Sequence, residues 1–229
     1  MSAGSTPLLF VHGYWHGSWC WSEVIAQVAG AGRPALAVDM AGHGLRAGRP
    51  ECLTRRPFAP EALATEVSPV ADVDLDQAGD LLVSQIRQLG CGGPVTVVAH
   101  SMGGTVLTRA AQQAPELVAH AVYLTAFMPA SDVPAIAYIQ MPENAGELVA
   151  PLFRADPAAV GALRLDLASD DAGYRQQLRD AFFGDVAPAV ADADAAFPAN
   201  PTSVMALDSS HSPFLSMPGQ VAGIVAKLG

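Results

Sequence analysis

Residues 95–107 read Val-Thr-Val-Val-Ala-His-Ser-Met-Gly-Gly-Thr-Val-Leu, an apolar run that ends on a serine and passes at once into glycines that open a helical pattern. A serine hydroxyl attacks a carbonyl only when a base removes its proton and the chain holds its oxygen clear of the backbone. A strand turning sharply into a helix meets the second need, provided the neighbours two residues before and after the serine are small. Here those neighbours are Ala99 and Gly103, with Gly104 adding room. Ser101 therefore reads either as a nucleophile at a strand–helix elbow or as the N-cap of the following helix, a position that serine also favours. The helix start behind it, with unpaired N–H groups and partial positive charge, suits a developing oxyanion.

The remaining chemistry must come from elsewhere in the chain. The segment Phe10–Trp19, with His12 and Gly13 forming a tight turn, offers the amide of Tyr14 as a second oxyanion donor beside that of Met102. Six histidines compete for the role of base. His12 and His43 lie in His-Gly turns where an imidazole braces a loop, His100 alternates away from Ser101 along its strand, and His120 begins a strand. His16 lies in the oxyanion turn. His211 stands apart, because it follows the strand-like Ser203–Asp208 and completes a serine, acid, histidine chain order. Metal chemistry lacks support: there is no His-x-x-x-His helix face and no cysteine pair. A phosphate loop is equally unsupported, since no glycine-rich turn ends in Lys-Ser or Lys-Thr.

Around these residues, short apolar runs alternate with helical ones. Strands are expected at 7–13, 34–44, 94–101 and 120–126, with helices at about 19–29, 76–89 and after Met102. This alternation predicts a single α/β domain over residues 1–229 with a doubly wound, mostly parallel sheet, whose ligand chemistry belongs at the carboxyl ends of its strands. Leu45–Asp76 reads as a surface excursion without a clear period. About residues 128–187 read as a helical cap, with candidate helices in Glu143–Phe153, Asp156–Leu167 and Ala172–Phe183. With a formal charge of −10 and scattered basic residues, the surface repels a phosphate backbone, so nucleic acid is not an expected partner. No run approaches the roughly 20 apolar residues of a membrane span. The N-terminal residues lack a basic leader pattern, and Cys20, Cys52 and Cys91 read as reduced thiols, so a cytoplasmic location is expected. No cofactor is called for, and the sequence leaves homo-oligomerisation open.

Taken in order, the elbow, the "HGYWHGSWCW" turn, "VDMAGHG", "YLTAFMP" and "SSHSPFLSMP" resemble the α/β-hydrolase superfamily, and within it the branch of plant methyl esterases, hydroxynitrile lyases and their bacterial esterase relatives. The resemblance implies Ser101 as nucleophile, His211 as base and the amides of Tyr14 and Met102 as oxyanion donors, acting on a small-molecule ester or acyl substrate. The lyases of that branch carry a lysine after the catalytic histidine and a threonine after the first His of the turn; Ser212 and Gly13 occupy those places, which favours acyl hydrolysis. The same pattern implies a penultimate strand with an acid loop, and this chain passes from the cap into "AVADADAAFPANP" without one. Asp132, beyond the strand next to the elbow strand, is the candidate replacement acid, with a helix-cap or hinge role as the alternative. Asp185, Asp192, Asp194 and Asp208 read as solvated, capping or turn residues. Trp15, Phe127, Tyr138 and Phe214 are candidates for an apolar pocket and equally for ordinary core. The resemblance also leaves room for a non-hydrolytic binding or biosynthetic member of the fold, or for a deleted form of an active esterase.

Overall fold

The computed structural model describes residues 6–48, 50–53, 55–57, 60–130, 133–167, 169–185 and 211–228. Four parallel strands form its sheet: β1 (Leu8–Val11), β2 (Ala35–Val38), β3 (Val95–Ser101) and β4 (Val118–Ala126), in the order β2-β1-β3-β4. The chain leaves β1 toward β2 on one side and later returns to β3 on the other. That reversal opens a crevice at the carboxyl ends of β1 and β3, where open α/β sheets bind their ligands.

Strand alternation divides the core between two faces. Leu9, Val11, Val97 and Ala99 point toward α3 (Leu75–Leu89) and α4 (Gly103–Gln113), meeting Leu82, Val83, Ile86, Val106 and Leu107. Leu8, Phe10 and Val98 point the other way, toward α1 (Ser22–Gly30) and α9 (Pro218–Val225), where they meet Trp21, Val24, Phe214 and Val221. All seven residues of β3 are buried, as a strand covered on both faces requires. The N-terminus of α3 carries a reciprocal cap, in which Asp74 accepts Gln77 N–H and the Gln77 side chain accepts Asp74 N–H.

The excursion after β2 is more ordered than its sequence suggests, because it contains α2 (Pro60–Thr65), a helix too short to display a period. The segment after β4 departs from expectation in the opposite direction. Glu143–Phe153 forms tight single turns at Pro142–Asn144 and Ala150–Leu152 rather than a helix, and Asp156–Leu167 keeps only α6 (Pro157–Val160). Gly146, Pro151 and Gly161 interrupt those runs. An unanticipated α5 (Ala135–Ile139) precedes them, and α7 (Ala172–Phe183) forms as expected, capped by Asp171. Val149, Leu152, Leu165, Tyr174, Leu178 and Phe182 make a separate small core. A short α8 (Pro213–Ser216) precedes α9. The expected strand Ser203–Asp208 and the residues Asp192 and Asp194 lie outside the described residues. No helix among those described is long and apolar enough to cross a membrane.

Gly104 shows how tightly α4 is seated: a Cβ there would meet the carbonyl oxygen of Phe127 and, at 3.0 Å, the methyl of Ala126. Gly223, on the exposed side of α9, has nothing within 4 Å of its own added Cβ. Gly104→Ala is expected to lower unfolding stability by about 1–3 kcal/mol, whereas Gly223→Ala should raise it by about 0.5–1 kcal/mol. Urea unfolding of the two variants beside the parent checks both signs.

Candidate active site

Ser101 ends β3 with φ +53, in the left-handed region that L-residues other than Asn and Asp rarely enter. The pairing of β3 with β4 slips at His100/Ser101, so the serine breaks from the ladder as the chain turns. Met102, not Ser101, is the N-cap of α4, and no side chain caps that helix. The Ser101 hydroxyl makes no hydrogen bond among the described residues, so it does not cap the helix. Two flanking segments hold it. A Cβ added to Gly13 would lie 2.5 Å from Ser101 Cβ and 3.0 Å from its Oγ, so the turn after β1 rests directly against the serine. On the other side, Phe127 donates its N–H to the carbonyl of Ser101 at 3.1 Å.

Strain is concentrated here. Among the described residues, four that are not glycine have positive φ, and three of them, Trp15 (+62), Ser101 (+53) and Thr125 (+41), surround this crevice. Such conformations cost on the order of 1–3 kcal/mol each and persist only where surrounding contacts impose them. Those contacts are visible. Trp15 donates its indole N–H to the Leu163 carbonyl at 2.9 Å and meets Phe182 edge-on at 5.4 Å. Thr125 donates its hydroxyl to the carbonyl of His211 at 2.9 Å, and Ser212 donates to the Phe182 carbonyl at 3.3 Å. His211 is thus suspended between the end of β4 and α7. Thr125 could not be singled out from sequence, because it looks like any β-branched strand residue.

Histidines fill the floor of the crevice. His12 donates Nδ1–H to the Gly13 carbonyl at 2.8 Å and accepts the Met40 N–H at Nε2 at 3.1 Å, tying the turn after β1 to the end of β2. Burial pushes its pKa down to about 4. His43 donates to the Ala41 carbonyl and stacks near His12 with ring centroids 5.0 Å apart. His16 donates to the Tyr14 carbonyl and meets His100 edge-on. Asp39 joins the same loops. It accepts Ser18 N–H at 2.6 Å and Leu45 N–H at 2.9 Å, and although burial opposes its charge, those donors hold its carboxyl below the usual range. The sequence signal for Asp39 was its place directly after an apolar strand and before a His-Gly turn.

His100 alternates away from Ser101, as the strand period requires, but the face it turns to is the one that receives His211. Their Nε2 atoms are 2.8 Å apart. No hydrogen bond joins His211 to Ser101, and among the described residues no carboxylate bonds to either imidazole. Asp132 lies outside the described residues. Asp185 is exposed at the end of α7. Of the other predicted residues, Met102 and Tyr14 adjoin the serine in chain or through Gly13, and both are half-buried. Phe127 is buried at the end of β4, and the hydroxyl of Tyr138 accepts Ala130 N–H at 2.6 Å. Phe214 is wholly buried in the sheet core, packed on Trp21 at 4.9 Å and His100 at 4.7 Å, so it supports the histidines from below rather than lining open space. Among the described residues, no group of three or more His, Cys, Asp or Glu is arranged to hold a metal ion.

A parallel sheet covered on both faces, with a strained serine at a strand–helix turn over its switch point, defines an α/β-hydrolase-type architecture. Residues 8–224 match the alpha/beta hydrolase family, and the chain belongs to that family. It is similar to "Probable esterase PIR7A" of Oryza sativa subsp. indica, with 35% identity over 57% of this chain and 43% of that protein. It is also similar to "Methyl jasmonate esterase 1" of Vitis vinifera, with 29% identity over 54% of this chain and 40% of the relative. The matched stretch thus spans less than half the length of these curated relatives. Among solved structures, the pyrethroid hydrolase PytH shares the fold with a TM-score of 0.71 at 21% identity, over 96% of each chain.

The buried histidines set an acid limit on stability. Burial holds His12, His16, His100 and His211 below their ordinary value of 6.5. In the unfolded chain they take protons near pH 6.5, whereas folded His12 does so only near 4. Their contribution is fully present above pH 6.5 and is lost as the pH falls toward 4, by about 3 kcal/mol for His12 alone. Urea midpoints are expected to drop steadily from pH 7 to pH 4.5, with uptake of more than one proton on unfolding. A midpoint unchanged between pH 7 and 5 would contradict this.

Proposed function

We propose that the protein is a cofactor-independent serine hydrolase that cleaves a small carboxylic ester or related acyl substrate. The observation that carries this reading is Ser101 itself, held at φ +53 against Gly13 with a hydroxyl that no other described group engages. Ser101 Oγ attacks the acyl carbon, His211 takes the hydroxyl proton and later returns it to the leaving alcohol, and the amides of Tyr14 and Met102 receive the oxyanion. Asp132, six residues past the end of β4, is our candidate for the carboxylate that completes the triad. The helical segment over about 128–187 acts as a cap, with Trp15 as its contact to the oxyanion turn. The names of the plant relatives favour an ester over other acyl compounds. Ser212 supports the same choice, because its position is fully buried and a lysine ammonium there would have to be desolvated.

A second reading, a non-hydrolytic member that binds a hydrophobic ligand, draws on the absence of any hydrogen bond between His211 and Ser101. The two readings differ in whether the serine hydroxyl is needed. A fluorophosphonate probe is expected to label Ser101, and Ser101→Ala should abolish both labelling and turnover of p-nitrophenyl acetate. No labelling of the folded protein, or a variant as active as the parent, would overturn the hydrolase. Asp132→Asn is expected to lower kcat by up to about 10⁴-fold, the size of the loss when a triad acid that orients the imidazole and stabilises its cation is removed. A change of less than about threefold would remove Asp132 from the site.

A further inference from the structure

The His100–His211 pair holds chemistry that the reaction as written does not use. Two neutral imidazoles that meet through their Nε2 atoms at 2.8 Å share one proton, so one ring donates and the other accepts. The surroundings of His100 decide which. Its Nδ1 is buried and has no hydrogen-bond partner among the described residues. That nitrogen faces the backbone of Gly13, where an added Cβ would lie 2.8 Å away. A lone pair rests acceptably against the Cα hydrogens of a glycine, whereas an N–H in that place would be a buried donor with nothing to receive it, the rarer and costlier defect. The His100 proton therefore sits on Nε2. His211 accepts it with its own Nε2 lone pair, which puts the His211 proton on Nδ1. Phe214, Trp21 and His16 pack around the His100 ring and fix its orientation. Burial disfavours a cation on either ring.

We infer that His100 is the positioning residue for His211: its Nε2–H holds the base as the Nδ1–H tautomer, with the accepting nitrogen kept beside the serine's own strand end. This rests on the reading of His211 as the base. An Nδ1–H imidazole with a free Nε2 lone pair is the form a serine needs, and it is the form a triad carboxylate ordinarily selects. On substrate binding, His211 Nε2 exchanges His100 for Ser101 Oγ. The hydroxyl proton passes to Nε2 as Oγ bonds to the acyl carbon, and the same proton goes to the departing alkoxide oxygen; water then attacks the acyl carbon, giving its proton to Nε2, which passes it to Ser101 Oγ as the acid leaves, and neutral His211 returns to His100. His100 keeps its proton throughout.

Nitrogen-15 NMR of histidine-labelled protein near neutral pH reads the tautomers directly, with His211→Gln and His100→Gln spectra giving the assignments. The expected pattern is Nε2–H for His100 and Nδ1–H for His211. In His100→Phe, which keeps the ring volume without the donor, the His211 signals should move toward the Nε2–H form; in His100→Gln, whose amide nitrogen can donate from the same place, they should stay. With p-nitrophenyl acetate, His100→Phe should lower kcat by about tenfold, the worth of one hydrogen bond, with KM nearly unchanged and most of the loss recovered in His100→Gln. A proton on Nδ1 of His100 in the parent protein, or an unchanged His211 tautomer in folded His100→Phe, overturns the inference. Because the spectra need no substrate, the expected tautomers in a protein that turns over no ester would overturn the hydrolase reading and leave the pair standing.

Discussion

The site depends on one close approach: the end of β3 comes so near the turn after β1 that only a glycine fits between them. Gly13 lies in contact with both Ser101 and His100, and Gly103 and Gly104 lie as close to the backbones that follow β1 and β4. Sheet order makes this contact unavoidable, because β1 and β3 are neighbours whose connections leave in opposite directions. The serine is held in a left-handed conformation because loops on both sides leave no alternative. The strain at Trp15 and Thr125 has the same origin, since both residues tie the crevice to the segments that cover it.

A second property follows from covering that crevice. At His12, His16 and His100, burial outweighs the backbone acceptors that favour their protonated forms, and at His211 burial and the neighbouring His16 both act against the proton. Kept neutral, each has one donor and one acceptor nitrogen, and the packing assigns them. His12 uses both, bridging Gly13 and Met40, and so fixes the turn after β1 relative to the end of β2. Asp39 reinforces the same junction from below with a carboxylate that accepts two backbone amides. His100 uses one nitrogen and leaves the other against Gly13. The floor is therefore a set of neutral rings, each with one donor and one acceptor nitrogen, and is poorly suited to acid.

Much of this was legible in the residues before any tertiary contact was known. Alternation of apolar runs and helical periods fixes a parallel sheet, and small residues flanking Ser101 identify an elbow, because those are local constraints written into local sequence. The family resemblance drew on the same motifs. Single turns in Glu143–Phe153 and the six residues of α2 were misread for a complementary reason: over so few residues, a helical period is set by the tertiary surface the segment packs on rather than by its own pattern.

Tertiary structure alone decided which groups face one another. The strand period correctly turned His100 away from Ser101, yet it could not say that His211, over a hundred residues later, would occupy the face to which His100 turns. Residue type leaves Phe214 open as pocket lining or as core, and packing puts it in the core beneath the histidines. Thr125 carries no sequence signal at all, because its role comes from a backbone angle and a partner across the chain. Sequence determines which residues are able to do chemistry, since that is a property of side-chain type and local spacing. Which nitrogen holds the proton is a property of burial and of the atom opposite, and only the assembled fold supplies those.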